Sequence, residues 1–214
     1  MPSILTDLTE QYLSSIQPPA DDLVREMETH AERDGDRIAA REVATLQRIL
    51  AMATGADRVL EFGTAIGYST IQLARTGCEV VTMEVDDERI AAAREYARRD
   101  GVADRIEIHE APALEALDEI EGPFDVVFLD AVKTEYPDYL DRSLPMLREG
   151  GIAMVDNMLW SGRVPEAHET GDPADDATET FLEFNAAFVD HDQLEAVVTP
   201  LADGTGIGIK RGGE

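Results

Sequence analysis

The sequence predicts a doubly wound α/β fold: a seven-stranded, mostly parallel sheet that finishes in an antiparallel hairpin and is preceded by helices. Three observations carry the prediction. From Arg58 onward, short apolar runs alternate with helical stretches, the pattern of parallel strands covered on both faces. Before Arg58 the apolar residues recur at helical spacing, which predicts a helical extension over 1–55. Beyond Leu194 two runs are joined by a short Pro/Gly turn, a connection that pairs strands antiparallel.

The elements follow in order. Asp21 can cap a helix carrying Leu23, Val24, Met27 and Ala31 on one face. A second helix carries Val43, Leu46, Ile49, Leu50 and Ala53 and stops at Gly55, a residue suited to a left-handed C-terminal cap. Strands are expected over 59–62, 80–85, 106–108, 126–129 and 152–155. Ala177, Phe181, Phe184 and Phe188 form a helical stripe, and strands over 194–199 and 205–210 flank the turn 200–204. The segment 160–178 is long, acidic and rich in Gly and Pro; it reads as a loop and a candidate substrate lid. There is no internal repeat, and residues 1–214 read as one domain.

Charge narrows the partners. The chain has 45 acidic and 18 basic residues, a net −27. Such a surface repels phosphates and anionic lipid, so neither nucleic acid nor membrane is an expected partner. Only two lysines occur, Lys133 and Lys210, and this acid-rich, lysine-poor balance is halophilic in character, like proteins from salt-loaded cytoplasm. No apolar run reaches the ~18 residues of a membrane span. The first residues lack the basic-then-apolar pattern of a signal peptide, so a cytoplasmic protein is expected. Cys78 is the sole cysteine, which forbids an internal disulfide and a Cys-rich zinc site.

Chemistry concentrates at the strand ends, where open α/β sheets bind ligands. The first strand runs into Glu61-Phe62-Gly63-Thr64-Ala65-Ile66-Gly67-Tyr68-Ser69. Its glycines would let backbone approach a ligand and a helix N-terminus would offer free N–H groups, though a bare tight turn also explains them. Glu84, at the end of the second strand, can accept both hydroxyls of a ribose; it can equally be one more surface acid. Asp130, Asp156 and Asn157 stand at the next two strand ends and offer three hard oxygens, a set suited to Mg²⁺. Lys133 stands three residues after Asp130, as a functional group or as the salt-bridge partner of paired acids.

These segments resemble one family. Residues 59–69, the stretch Leu129-Asp130-Ala131-Val132-Lys133 with Tyr136 and Tyr139, and the stretch Val155-Asp156-Asn157-Met158-Leu159-Trp160-Ser161-Gly162-Arg163-Val164 are similar to the motifs of metal-dependent catechol and caffeoyl-CoA type O-methyltransferases. The similarity extends from about Ile38 to Lys210. It implies a Rossmann-like class I methyltransferase domain. S-adenosylmethionine would lie against Glu61, Gly63, Thr64, Gly67, Tyr68, Ser69, Ala113 and Asp130, with its ribose on Glu84. It also implies Mg²⁺ or another divalent cation on Asp130, Asp156 and Asn157, with Lys133 as general base, and a homodimer. The acceptor would be a small catechol-like or other metal-chelating molecule. Lysine is a base only when neutral, a form that neighbouring cations favour.

The chain departs from the family pattern twice. Val132 stands where a second acid is common, and Ala111-Pro112-Ala113 replaces Gly-Asp-Ala. Two other readings remain open from the residues. An NAD-type oxidoreductase is disfavoured by the Gly-x-x-x-Gly spacing and by the lack of a Tyr-x-x-x-Lys or histidine acid. A catalytically idle nucleoside-binding protein would bind cofactor without metal-dependent turnover. His30, His109, His168 and His191 show no ligand spacing and read as surface or lid residues. Trp160 either walls an aromatic acceptor or packs the lid, Tyr68 serves cofactor or core, and Cys78 is a small apolar filler.

Overall fold

A computed structural model describes residues 6–213; the reading of the extreme N-terminus falls on residues 1–5 and lies outside them. Three helices come first, α1 (Asp7–Ser15), α2 (Asp22–Asp34) and α3 (Arg41–Thr54). The alternating part follows as β1 (Arg58–Phe62), α4 (Tyr68–Ala74), β2 (Glu79–Met83), α5 (Asp87–Asp100), β3 (Ile106–His109), α6 (Ala113–Ala116), β4 (Phe124–Leu129), α7 (Tyr136–Ser143) and β5 (Leu147–Val155). The chain closes with α8 (Arg163–Thr170), α9 (Asp176–Val189), β6 (Leu194–Thr199) and β7 (Thr205–Lys210).

The strands form one sheet in the order β3-β2-β1-β4-β5-β7-β6. The first five run parallel, and β7 is antiparallel to both its neighbours. The seven-stranded sheet and its hairpin match the sequence reading. Strand order reverses between β1 and β4, so the crevice beyond their carboxyl ends is where a ligand is expected.

Alternation along the strands sends successive side chains to opposite faces. Leu60, Phe62, Val127, Leu129 and Val155 pack with α7 and α9, whose Tyr136, Tyr139, Phe181, Phe184 and Phe188 fill that layer. Val59, Val80, Val126 and Ile152 point the other way, against Ala51 of α3 and Leu73 and Ala74 of α4. Glu61 shares that second face. Helix α2 begins on Asp21, whose carboxylate accepts from Val24 N at 2.9 Å, and α3 ends on Gly55 at φ 61°, both as the sequence indicates.

The segment 160–178 differs from its reading as a loop. It forms a short turn (Trp160–Gly162), then α8, a brief connection and the start of α9. Val164 and Ala167 are buried at helical spacing, and Pro165 sits in the first turn of α8, where a missing N–H leaves no helical bond unmade. Asp175 then caps α9 through Thr178 N at 2.7 Å.

Phe181 joins this segment to the site-bearing layer. Its ring meets Tyr136 edge-on at 5.1 Å and lies 5.9 Å from Trp160, with no exposed surface. Phe181→Ala is expected to cost about 3–5 kcal/mol of stability, read by chemical denaturation at molar KCl. A loss below about 1 kcal/mol would mean that α9 does not anchor here.

Candidate functional site

Register brings the strand ends level. Phe62 pairs with Met83 and with Leu129, and Leu129 with Val155. The pairing continues for one residue past the strands: Asp130 N donates to Phe62 O at 3.0 Å, Asp156 N to Leu129 O at 3.1 Å and Thr64 N to Met83 O at 3.0 Å. Gly63, Glu84, Asp130 and Asp156 therefore share one edge of the sheet. Above it lies a cavity of about 1320 Å³, larger than one small ligand requires.

Among the residues singled out from sequence, Gly63, Thr64, Tyr68, Ser69, Glu84, Ala113, Asp130, Lys133, Asp156 and Asn157 line this cavity, while Glu61 and Gly67 do not. Gly63 has φ 95°, and a Cβ there would run into the Asp130 carbonyl. The glycine is thus required for the close approach of β1 and β4. A side chain at Gly67 would crowd Ala93 of α5 at 3.1 Å, so this glycine serves helix packing behind the wall.

Glu61 stands behind the wall too. Fully buried, it accepts hydrogen bonds from Ser69 Oγ at 2.5 Å and from the Thr70 hydroxyl. Burial pushes its carboxyl up to about 7, against the pull of these hydroxyls. Glu84 is organised differently. Its two oxygens accept from the backbone of Ala65 at 3.0 Å, Val85 at 2.8 Å and Asp86 at 3.1 Å, which pins a carboxylate at the cavity wall beside the Gly63 turn. Tyr68 is both core and wall: it packs with the N-terminal helices, and its hydroxyl donates to Glu28 of α2 at 2.8 Å.

The acidic end of the cavity is knitted by one lysine. Lys133 Nζ donates to Asp130 Oδ1 at 2.7 Å, Asn157 Oδ1 at 2.6 Å and Tyr136 Oη at 2.8 Å. Asn157 adopts φ 63°, a left-handed conformation that asparagine tolerates well. Burial, then the charge of Asp130, pushes the Asp156 carboxyl up to about 7. Burial likewise holds the Tyr136 hydroxyl well above its ordinary range, so it stays protonated. Among the described residues no group of three His, Cys, Asp or Glu side chains is placed to hold a metal. The oxygen set is two carboxylates and one amide. Two crowded acids that resist joint ionisation, completed by a neutral oxygen, have the chemistry of a hard-cation site.

The remaining expectations sort clearly. Trp160 lines the cavity and also packs on Phe181, so its packing role is met and its ring is exposed to the cavity. Cys78 is buried, with Sγ against Leu73 O at 3.3 Å. His30 contacts Tyr96 Oη at 2.8 Å rather than standing free on the surface, and His109 is half-buried. Sequence reading missed the crossing of residues 35–41 over the cavity mouth, which brings Arg37 and Arg41 to the wall. The signal available was Gly35, which ends α2 at φ 77° and turns the chain back across the sheet edge.

Comparison with known proteins bears on family and fold. The sequence model of the O-methyltransferase family matches residues 14–211. A catechol O-methyltransferase of Mycobacterium tuberculosis is 39% identical over 143 residues, 59% of this chain and 65% of that protein. The chain thus spans about two thirds of that relative's length. Tricin synthase 2 of Oryza sativa subsp. japonica is 30% identical over 202 residues, covering 88% and 69%. Among solved structures, the O-methyltransferase TomG of Streptomyces achromogenes, in complex with S-adenosylmethionine, superposes with a TM-score of 0.84 at 27% identity and covers 96% of each chain. The O-methyltransferase of Bacillus cereus, in complex with S-adenosylhomocysteine, gives 0.83 at 25% identity, covering 95% and 97%.

The Glu61 carboxyl yields a pH prediction. Its proton is held more tightly folded, at about 7, than in an unfolded chain near 4.5. Its contribution to stability is therefore present below pH 4.5 and is lost as pH rises toward 7. Glu61→Gln keeps the shape and removes the titration. The stability difference, Gln variant minus wild type, should grow by about 2–3 kcal/mol between pH 4.5 and 7, as measured by urea denaturation. A difference flat in pH would show that the Glu61 carboxyl is not held in this way.

Proposed function

The chain belongs to the O-methyltransferase family, and on that premise we propose that it moves the methyl group of S-adenosylmethionine to a hydroxyl of a small catechol-like acceptor, with Mg²⁺ or a similar divalent cation. The observation that carries the reading is that Asp130 and Asn157 both lie within hydrogen-bond distance of Lys133, in a cavity also lined by buried Asp156 and by Gly63, Ser69 and Glu84.

In this reading Glu84 takes the cofactor ribose, and the turn from Gly63 to Ser69, with Ala113 opposite, takes the rest of the cofactor. Glu61 acts through Ser69 and Thr70, whose hydroxyls it fixes. Asp130, Asp156 and Asn157 hold the cation. When bound, the cation lowers the cost of ionising an acceptor hydroxyl, and the sulfonium supplies an electrophilic methyl group. Lys133 Nζ lies on Asp130 Oδ1 and Asn157 Oδ1; a dication held by Asp130, Asp156 and Asn157 would disfavour a further positive charge beside it, and Lys133 would be the group placed to take the acceptor proton. Tyr136 keeps Nζ aimed at the site. Rate then comes mainly from holding donor and acceptor in line inside a walled cavity.

The wider setting is part of the same proposal. The segment 160–178 serves as the substrate lid, hinged on the left-handed residues Trp160 and Ser161. Leu8, Tyr12 and Leu13 of α1, Ile16 just after it, and Ile49 and Met52 of α3 are exposed apolar residues, which supports a homodimer. No helix among the described residues is long and apolar enough to cross a membrane. The acidic, lysine-poor surface and the lone cysteine support a halophilic, cytoplasmic enzyme that avoids nucleic acid.

Turnover of a catechol acceptor, assayed with Mg²⁺ and with a chelator, tests the reading. Activity should fall at least a hundredfold on chelation. Asp156→Ala should abolish the Mg²⁺ response, and Lys133→Ala should lower kcat by about 10²–10⁴-fold with S-adenosylmethionine affinity nearly intact. Turnover indifferent to chelator, or a fully active Lys133→Ala, would remove these assignments.

A further inference from the structure

Arginines at the cavity wall are mostly neutralised. Arg41 pairs with Glu28 at 2.6 Å, Arg89 with Asp36 at 2.8 Å and Arg163 with Asp175 at 2.7 Å. Arg37 is the exception: among the described residues it makes no ion pair, although the chain carries 45 acids. Its guanidinium instead lies 5.9 Å from the centroid of the Trp160 ring, and that of Arg163 lies 5.8 Å from the same ring. All three residues line the cavity.

Trp160 is held there against its backbone preference. Its φ is 47°, a left-handed region that bulky residues rarely adopt. The turn is fixed by Trp160 N donating to Asn157 O at 3.0 Å and by Ser161 N donating to Asp203 Oδ1 at 2.5 Å. The first of these bonds ties the arginine-flanked ring one turn from Asn157, at the proposed metal end. An acceptor with its hydroxyls at Asp130, Asp156 and Asn157 would share the cavity with the Trp160 ring and Arg37.

We propose that Arg37, with Arg163 and Trp160, forms a subsite for a carboxylate on the far end of the acceptor, so that the substrate class is a vicinal dihydroxy aromatic acid. The inference rests on the metal-chelated acceptor reading of the same cavity. One guanidinium fork without an acidic partner matches one carboxylate in bidentate geometry. An acceptor bearing several phosphates would meet Glu28, Glu32 and Asp36, which share this wall. In molar salt the Debye length is about 3 Å, so the net −27 does not bar a monoanion, and short contacts to Arg37 decide.

The test compares 3,4-dihydroxybenzoate with its neutral isostere 3,4-dihydroxybenzamide, both with Mg²⁺ and S-adenosylmethionine in the same KCl. Wild type should favour the benzoate in kcat/KM by about tenfold, and Arg37→Gln should bring the ratio of the two to within about twofold of unity. Arg37→Lys should restore part of the preference. No preference in wild type, or an unchanged ratio in Arg37→Gln, would overturn the subsite. Trp160 is the sole tryptophan, so its fluorescence reads binding without turnover, in the presence of S-adenosylhomocysteine. If neither compound is methylated, the transfer reading fails. A tenfold binding preference for the benzoate that Arg37→Gln removes would still uphold the subsite, and equal binding of the two would overturn it.

Discussion

The register of three parallel strands is the constraint on which the rest of the site depends. Because β1, β4 and β5 end level and their hydrogen bonding runs one residue further, Gly63, Asp130 and Asp156 emerge side by side. A slip of one residue would turn the Asp130 and Asp156 side chains to the opposite face. Gly63 protects the register at its tightest point, since any side chain there would meet the Asp130 backbone. The buried aromatic layer of α7 and α9 then fixes the helix from which Tyr136 supports Lys133.

On this frame the electrostatics are local and opposed to the surface. The exterior is strongly acidic, and most of its arginine–carboxylate pairs are exposed, each contributing little to stability. At the acidic end of the cavity the Lys133 ammonium bonds Asp130 and its charge acts on Asp156, and burial raises the protonation range of both Asp156 and Glu61. These two acids differ in what relieves them. Glu61 is satisfied by the hydroxyls of α4, whereas Asp156 has the Asn157 amide, the Lys133 charge and, in our account, a cation.

Much of this was readable in the sequence, for reasons that particular residues make plain. Continuous apolar strands ending in Gly63, Asp130 and Asp156 announce both the sheet and the edge where ligands gather. Capping chemistry announced α2 and α3 through Asp21 and Gly55. Two features were not readable. Helix α8 was hidden by Pro165 and by flanking glycines, because a breaker in a first turn looks the same in sequence as one inside a helix. The approach of Arg37 to Trp160 joins residues 123 positions apart in the chain, and no local pattern encodes it. Glu61 was legible as a strand-end acid, but only the structure shows that it lies behind Ser69 rather than in the cavity wall.

The account stands first on the claim that this sheet edge takes S-adenosylmethionine. Calorimetric titration of that compound into the protein at molar KCl, with NAD as the comparison ligand, tests it most directly. The account predicts saturable binding of S-adenosylmethionine and none of NAD, with affinity weakened in Glu84→Ala. Preferential binding of NAD, or no heat of binding for S-adenosylmethionine in a folded sample, would contradict it.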